Sequence, residues 1–185
     1  MKVIETDLPD CLVFEPKVFG DERGFFYESF NRDKLAAIGL HPEFVQGNVS
    51  SSSRGVLRGL HYQWPRPQAK LVSVLEGEVW DVAVDIRRDS PDFGRWAATV
   101  LTAENKRHFW IPEGFAHGFV VLSERALFTY LCTATYDQAA DAGIRWDDPD
   151  LAIDWPVSAP VLSDKDARAP LLADVAIERL PRITA

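Results

Sequence analysis

The chain has 185 residues, a length that suits a single domain with a substantial core. Its composition, 46% hydrophobic and 26% charged, is ordinary for a globular protein, and no apolar run approaches the ~18 residues that a membrane span needs. The net charge of -8 argues against non-specific nucleic-acid binding, which depends on basic residues that neutralise phosphates. We therefore expect neither a nucleic-acid nor a membrane partner. An anionic small molecule is not excluded, because basic residues at one place decide its binding.

The amino terminus and the cysteines indicate the compartment. The first ten residues, MKVIETDLPD, lack the apolar core of a secretory signal. Cys11 and Cys132 stand far apart and match no metal or redox spacing, which is typical of reduced thiols. The sequence therefore predicts a cytoplasmic protein.

The first predicted element in chain order is a helix. Asn31 is its N-cap, RDKLAAI forms its body, and Gly39 ends it. A strand with an unusual pattern follows at residues 55–63, GVLRGLHYQ. Simple alternation puts Arg58 on one face of this strand and His61 on the other, each among apolar neighbours. Mixed faces favour a strand that lines a cavity, and a half-exposed strand with a hydrogen-bonded histidine is the simpler alternative.

The clearest strand signal lies at residues 70–87, KLVSVLEGEVWDVAVDIR. Two β-rich runs flank Glu76-Gly77-Glu78, which predicts a hairpin. In the second run Trp80 and the alternate residues after it face one way, and Asp81 and Asp85 face the other way. Further strands are predicted at WAATVL, RHFWI, GFVVL and ALFTYL.

These short, regularly spaced strands indicate an antiparallel sandwich or barrel rather than βαβ units. The tail after Asp147 is rich in Pro and Asp, and we expect ordered coil with short helical turns there. No linker interrupts the chain. The sequence therefore predicts one all-β domain over residues 1–185, with the sandwich or barrel core at roughly 45–135 and an extension at roughly 147–185.

A metal site is one interpretation of the histidines, because all-β cavities often hold a metal on histidine side chains. The segment Pro112-x-Gly114-x-x-His117 resembles the second metal motif of the cupin superfamily. The first motif should supply His-x-His and then an acid, but the chain has His61-Tyr62-Gln63 and then Lys70. An ammonium in the cavity would repel a divalent cation. We therefore expect a cupin-like scaffold without a metal, in which acid–base chemistry replaces it.

Five stretches together resemble one family. They are DERGFFYESF, VQGNVSSSSRGVLRGLHYQ, QAKLVSVLEGEVWDVAVDIRRDSPDFGRW, WIPEGFAHGF and LSDKD. In this order they are similar to the dTDP-4-dehydrorhamnose 3,5-epimerases, and the resemblance covers residues 3–175 approximately. It implies a cupin-type jelly-roll fold, a homodimer, no metal and no cofactor. It also implies epimerisation of dTDP-4-dehydro-6-deoxy-D-glucose at C3 and C5 to dTDP-4-dehydro-L-rhamnose, a step in dTDP-L-rhamnose biosynthesis for cell-surface polysaccharide.

The resemblance carries roles over to single residues. It implies His61 as the catalytic base, Asp166 as the carboxylate that orients and charges it, Tyr130 as the acid on the opposite face of the sugar, and Lys70 beside the sugar O4. It implies a larger set of substrate contacts: Arg23, Phe26, Glu28, Gln46, Asn48, Arg58, Lys70, His117, Asp141 and Lys165. The family often shares its N-terminal segment between subunits, so we expect Arg23 to reach the cavity of a partner.

These residue types suit the chemistry. The hydrogens at C3 and C5 of a 4-keto sugar lie beside the carbonyl, so a base can remove each one on one face and an acid can return it on the other. Histidine has an ordinary pKa of about 6.5, which suits the base. Negative charge collects on O4 in the enolate, where one donor can be worth roughly 3–4 kcal/mol. No Gly-rich dinucleotide fingerprint is present, in keeping with a reaction that needs no redox cofactor.

Other interpretations stay open at this stage. Taken alone, Tyr130 can be a core tyrosine, Asp166 can be an acid at a helix N-terminus beside Ser163, and Arg23 can be half of a surface ion pair. Asp81 and Asp85 are rival partners for His61, and His117 can simply cap a turn.

Three departures from the family pattern also bear on function. Leu131 stands where a Lys is expected, Asp141 stands where a Glu is commoner, and the loop at 64–68 is short. They leave room for a relative that acts at C3 or C5 alone or on an amino sugar. A non-catalytic or metal-dependent cupin is the third candidate.

Overall fold

The computed structural model describes residues 1–183, and it consists mainly of antiparallel strands. In chain order the strands are β1 (Lys2–Glu5), β2 (Leu12–Glu15), β3 (Val18–Asp21), β4 (Gly24–Tyr27), β5 (Gln46–Ser53), β6 (Leu57–Gln63), β7 (Lys70–Glu76), β8 (Glu78–Asp85), β9 (Trp96–Thr102), β10 (His108–Ile111), β11 (Phe115–Val121), β12 (Arg125–Cys132) and β13 (Asp141–Gly143). The helices are α1 (Arg32–Ala36) and α2 (Asp164–Ala167), with 3₁₀ turns at Leu172–Asp174 and Ile177–Arg179. None of the helices in this part of the chain is long and apolar enough to cross a membrane.

Two sheets face each other. One has six strands in the order β1-β2-β10-β7-β12-β5, and the other has five in the order β13-β6-β11-β8-β9. Strands β3 and β4 form a separate two-stranded hairpin. The four strands predicted after residue 95 are all present, as β9 to β12. Strands β1 to β5 and β13 had no clear signal in the sequence.

Three apolar clusters hold the layers together. The first fills the space between the sheets and includes Val72, Phe109 and Phe128. The second joins the outer face of the five-stranded sheet to the C-terminal segment, with Trp155 and Leu172 contributed by that segment. The third packs α1 on the outer face of the six-stranded sheet through Leu35. The predicted coil with helical turns is confirmed, and it covers one sheet.

The predicted helix is confirmed at its start. The Asn31 side chain accepts a hydrogen bond from Lys34 N at 3.1 Å, which satisfies one of the free amides of the first turn. The helix ends at Ala36, two residues before the predicted end, and the chain turns away at Gly39 with φ +84°.

The predicted hairpin at 70–87 is wrong. Strands β7 and β8 are consecutive, yet β7 lies in the six-stranded sheet and β8 in the five-stranded sheet. The chain changes sheets at Gly77, where φ is +79° and an added Cβ would lie 2.0 Å from the carbonyl oxygen of Arg125. The faces of β8 were predicted correctly, because Val79 and Ala83 point between the sheets and Val82 and Val84 point outward.

The predicted faces of β6 are also wrong, because the strand contains a bulge. On the neighbouring strand β11, His117 pairs with His61 and Phe119 with Arg58, so Gly59 and Leu60 of β6 together oppose the single residue Gly118 of β11. The bulge brings Arg58 and His61 onto the same, inward face. It needs glycine at residue 59, since an added Cβ would lie 2.5 Å from Gly118 Cα.

Candidate active site

His61 lines a cleft at one end of the sandwich, and Asp166 is buried directly behind it. His61 lies on β6, and its Nε2 is 2.6 Å from Oδ1 of Asp166. Asp166 lies on α2, where Ser163 Oγ caps the helix by accepting from Asp166 N at 3.1 Å. The rival carboxylates have other partners: Asp81 contacts His117, and Asp85 contacts Arg87.

The environment of Asp166 keeps it ionised. Burial raises the pKa of its carboxyl, but hydrogen bonds from His61, Ser163 and the Gly59 backbone outweigh this and leave the pKa below its ordinary value. An ionised, buried carboxylate on Nε2 fixes the ring orientation of His61. Nδ1 is the ring nitrogen left to accept a proton from a ligand.

Lys70 and Tyr130 line the same cleft as His61. Lys70 is the first residue of β7, and its Nζ lies 6.0 Å from the centre of the Tyr130 ring on β12. Burial lowers the pKa of Lys70, while Asp81 and Asp141 oppose this effect. Burial also raises the pKa of the Tyr130 phenol, so this group stays protonated and able to donate. A base, a cation and an acid therefore surround one space of about 200 Å³.

The rim of the cleft is polar and internally hydrogen-bonded. Gln46 donates to Asn48 Oδ1 at 2.9 Å, and both lie on the edge strand β5. Tyr136 donates its hydroxyl to Asp141 Oδ2 at 3.2 Å, and Lys165 forms an ion pair with the same carboxylate. Tyr136 N also donates to Gln46 Oε1 at 2.8 Å, so the loop after β12 is joined to β5 as well as to β13, and Lys165 joins α2 to β13.

Two further residues of the predicted set lie beside or beneath the cleft. Arg58 shares the inward face of β6 with His61, and its Nε donates to Ser52 Oγ at 3.0 Å. His117 is buried under the cleft, with Nε2 at 3.0 and 3.1 Å from the two carboxylate oxygens of Asp81. Within a single chain, His117 therefore lies beneath the cleft and is not one of the residues that line it.

Three residues of the predicted set lie away from the cleft of their own chain. Arg23 and Phe26 belong to the β3–β4 hairpin, where the Arg23 side chain is 85% exposed and Phe26 is 70% exposed. Arg23 pairs with Asp21, and Glu28 pairs with Lys34 at 2.6 Å. One chain therefore brings together His61, Asp166, Lys70, Tyr130, Gln46, Asn48, Asp141 and Lys165, but not the hairpin residues.

The model of the dTDP-4-dehydrorhamnose 3,5-epimerase family matches residues 5–174. The chain belongs to this family. It is similar to the dTDP-4-dehydrorhamnose 3,5-epimerase of Shigella flexneri, with 57% identity over 94% of this chain and 97% of that protein. The dTDP-4-dehydrorhamnose 3,5-epimerase family consists of carbohydrate isomerases, so the chain is an enzyme of that class.

Solved structures agree with this assignment. The dTDP-6-deoxy-D-glucose-3,5-epimerase of Legionella pneumophila, in complex with dTDP-4-keto-L-rhamnose, superimposes with a TM-score of 0.96 at 54% identity, covering 100% of this chain and 99% of that one. A 3'-monoepimerase of Streptomyces bikiniensis, in complex with dTDP-quinovose, gives a TM-score of 0.88 at 36% identity, covering 96% and 92%. The fold of this epimerase is accordingly the cupin-type jelly roll.

Sequence reasoning missed four residues that line the cleft of the epimerase: Tyr62, Gln63, Gln68 and Tyr136. Gln63 Oε1 accepts from Asp137 N at 2.8 Å, and Gln68 donates to Ala134 O at 2.8 Å, so both hold the loop after β12 against the cleft. Gln63 ends the unusual strand motif, which was a usable signal. Tyr136 is an exposed aromatic in an irregular segment, and nothing in its local sequence indicates a site.

The epimerase scaffold places the two cupin-like histidines opposite each other, since His61 and His117 are partners in the β6–β11 ladder. Each one contacts an aspartate instead of converging with the other. In residues 1–183 no three His, Cys, Asp or Glu side chains come close enough together to hold a metal ion.

Proposed function

We propose that this enzyme inverts C3 and C5 of dTDP-4-dehydro-6-deoxy-D-glucose and so produces dTDP-4-dehydro-L-rhamnose. The observation that carries the proposal is the His61–Asp166 pair in one cleft with Lys70 and Tyr130. Substrate and product have the same oxidation state, so proton transfers alone connect them. The names of the similar enzymes from Shigella and Legionella support the same reaction.

Nδ1 of His61 removes the proton at the carbon beside the carbonyl. The resulting imidazolium donates from Nε2 to the ionised Asp166, which stabilises the charge that forms during proton removal. A well-placed base of this kind contributes about 10²–10⁴-fold to the rate.

The electrons of the broken C–H bond move to O4 and give an enolate. Lys70, as a cation or a hydrogen-bond donor, stabilises this oxygen, and the partial burial of its side chain strengthens the interaction relative to water. A single donor aimed at such an oxyanion is worth roughly 3–4 kcal/mol.

Tyr130 returns a proton to the carbon from the other face of the sugar ring. Its phenol stays protonated because burial raises its pKa, and its ring is held between Phe128 and Lys70. The same base–enolate–acid sequence at the second carbon completes the double inversion.

The related reaction at one carbon is the second candidate, and the likeness to the Streptomyces bikiniensis 3'-monoepimerase favours it. The likeness to that enzyme is weaker, at 36% identity against 57% for the Shigella 3,5-epimerase. The cleft geometry alone does not separate the two, because both need a base and an acid on opposite faces.

Proton NMR of the substrate in heavy water separates them. We expect the wild-type enzyme to replace the hydrogens at both C3 and C5 with deuterium and to yield the doubly inverted sugar. His61→Ala should abolish both exchanges. The exposed histidine offers a matched control, and His41→Ala should exchange both hydrogens at the wild-type rate. Exchange at only one carbon would identify a single epimerase instead.

The proposal includes a homodimer in which the β3–β4 hairpin of each chain completes the cleft of its partner. Three observations support it. The hairpin pairs with neither sheet of its own chain. It exposes Phe26 at 70%, while β5, the edge strand that carries Gln46 and Asn48, exposes Val49 at 64%. A second copy would cover both surfaces and bring Arg23 near an anionic ligand.

Mixing two inactive variants tests this arrangement. His61→Ala lacks the base and Arg23→Ala lacks the hairpin cation, so each alone should be nearly inactive. When the two are unfolded and refolded together, each mixed dimer should contain one intact site and activity should return. A monomer in sedimentation analysis, or no recovery in the mixture, would contradict the shared site.

We also propose a cytoplasmic location. Both cysteines of the chain, Cys11 and Cys132, are free and buried, as is usual in a reducing compartment.

A further inference from the structure

The cleft has a second histidine–carboxylate pair, Asp81 and His117, to which the catalytic steps above assign no role. Asp81 lies on β8 with no exposed surface, and His117 lies on β11 with its side chain 8% exposed. Both carboxylate oxygens lie within 3.1 Å of the same ring nitrogen, Nε2. The ring therefore donates its Nε2–H to Asp81, and Nδ1 is the nitrogen free to gain a proton.

The pair is held rigidly next to the catalytic residues. His117 stands opposite His61 in the β6–β11 ladder. Its ring stacks on Phe128 with a centroid distance of 6.1 Å, and Phe128 also packs against Tyr130 at 5.9 Å. Asp81 restrains the ring in its plane and Phe128 restrains its face.

The ionisable groups around His117 come from several strands. Asp81 comes from β8, Lys70 from β7 and His61 from β6, and Asp166 is hydrogen-bonded to His61. Strand β12 adds Tyr130 and Cys132, which lie near Lys70. Burial lowers the pKa of His117, and Lys70 and His61 lower it further, while Asp81 opposes this. Burial raises the pKa of Asp81, and His117 and Lys70 oppose that. Without a bound anion, a protonated His117 would be repelled by the ammonium of Lys70, so the neutral imidazole is favoured.

A diphosphate in this cleft changes that balance, because it adds at least two negative charges beside His117, whose nearest charged neighbours, the Lys70 ammonium and the buried Asp81 carboxylate, nearly cancel. A second cation then becomes favourable. We propose that Asp81 is a positioning residue that enables His117 to take up one proton from solvent at Nδ1 when the nucleotide diphosphate binds. The proposal rests on the proposed function only in requiring that dTDP occupies the cleft.

Calorimetric titration with dTDP tests it, in buffers of different ionisation enthalpy near pH 7.5 and free of phosphate. The dependence of the observed heat on the buffer gives the number of protons taken up. We expect about one proton per site for the wild-type enzyme, and almost none for His117→Gln or Asp81→Asn. The matched control is His108→Gln, which removes the other buried histidine outside the cleft and should keep the wild-type proton number.

A second measurement does not depend on variants that fold. The chain has four histidines, so their ring carbon–hydrogen signals can be followed by NMR in the wild-type enzyme with and without dTDP. We expect the signal of a buried histidine to move to the position of an imidazolium on binding and to stay there up to a higher pH than in the free enzyme.

The outcomes are distinct. Uptake that survives in His117→Gln, or is lost in His61→Gln, places the proton elsewhere and overturns the inference. Binding of dTDP without any uptake overturns it too, although deuterium exchange at C3 and C5 would leave the epimerase assignment intact. No binding of dTDP at all would instead count against the proposed function.

Discussion

Asp166 stands 105 positions after His61 in the sequence, yet its Oδ1 lies 2.6 Å from the histidine Nε2. The contact depends on the C-terminal segment, which runs back over the five-stranded sheet and packs there through Trp155 and Leu172. The backbone of Ala169 and the Ser163 cap keep the short helix α2 in a single turn, with Asp166 on its inner side. A segment that packs on the outside of a sheet thus supplies Asp166, the buried member of the His61–Asp166 pair.

Asp166→Asn should lower kcat by about 10²-fold or more, because the amide cannot stabilise the imidazolium that forms on His61. KM should change little, since Asp166 does not line the cleft. Steady-state kinetics coupled to product reduction gives both constants. Asp164→Asn is the matched control on the same helix, where the side chain is 95% exposed, and it should behave as wild type. An Asp166→Asn enzyme with normal kcat would remove the carboxylate from the mechanism.

Tyr130→Phe should slow the return of the proton more than its removal. The enolate would then regain deuterium from the histidine side many times before it inverts. In heavy water we expect exchange of substrate hydrogens to run well ahead of net inversion, whereas in the wild-type enzyme the two keep pace. Equal loss of exchange and inversion would instead indicate that Tyr130 only packs or binds.

Arg58→Lys should weaken dTDP binding about tenfold, although the charge is kept. The guanidinium is held in place by Ser52 and can contact a phosphate through two N–H groups, which a lysine cannot reproduce. The structure offers a close control: Arg125 makes the same contact to Ser51 on β5, at 3.1 Å, outside the cleft. Arg125→Lys should bind dTDP normally. Similar losses in both variants would point to a general effect of the substitution.

His108 makes the stability of the fold depend on pH. It is buried, Nε2 has no hydrogen-bond partner among residues 1–183, and burial lowers its pKa to about 4. The unfolded chain, with an ordinary histidine pKa of about 6.5, binds this proton more readily than the folded one. The stabilisation that comes from keeping His108 neutral in the folded state is therefore complete above pH 6.5 and is lost as the pH falls towards 4.

Between pH 7 and pH 5 the wild-type enzyme should lose about 2 kcal/mol more of its free energy of unfolding than His108→Gln does. Urea unfolding at the two pH values measures this. His41→Gln, at an exposed position, should show the full wild-type loss. If the wild type and His108→Gln lose the same free energy of unfolding between pH 7 and pH 5, the His108 imidazole does not cause the loss of stability at acid pH.

Most of the residues that the structure brings together in the candidate cleft could be predicted from the sequence, because they lie on strands that local composition reveals. His61, Lys70 and Tyr130 each lie on a strand with clear β-rich composition, so their strands could be recognised and the family resemblance could assign their roles. The resemblance also supplied Asp166, which periodicity would have left as one of three possible partners. The choice among three carboxylates depends on how a remote segment docks, and no local pattern records that.

The two errors in strand geometry have a different origin. A bulge at Gly59 and a change of sheet at Gly77 each look like ordinary strand or turn sequence. What distinguishes them is contact with distant backbone, Gly118 in one case and Arg125 in the other. Alternation and turn propensity describe neighbours along the chain, so they miss a geometry imposed by another strand.

The change of sheet at Gly77 also bears on how the polypeptide reaches this structure. In the six-stranded sheet, only β1 and β2 are neighbours both in sequence and in space, and in the five-stranded sheet only β8 and β9 are. Every other pairing joins strands that are well separated along the chain, such as β5 with β12 and β6 with β11. Large loops must therefore close before these pairings gain free energy, which raises the entropic barrier. Such a topology assembles late and cooperatively, with edges such as β5 exposed until assembly is nearly complete, and this is the period in which aggregation competes with the native state.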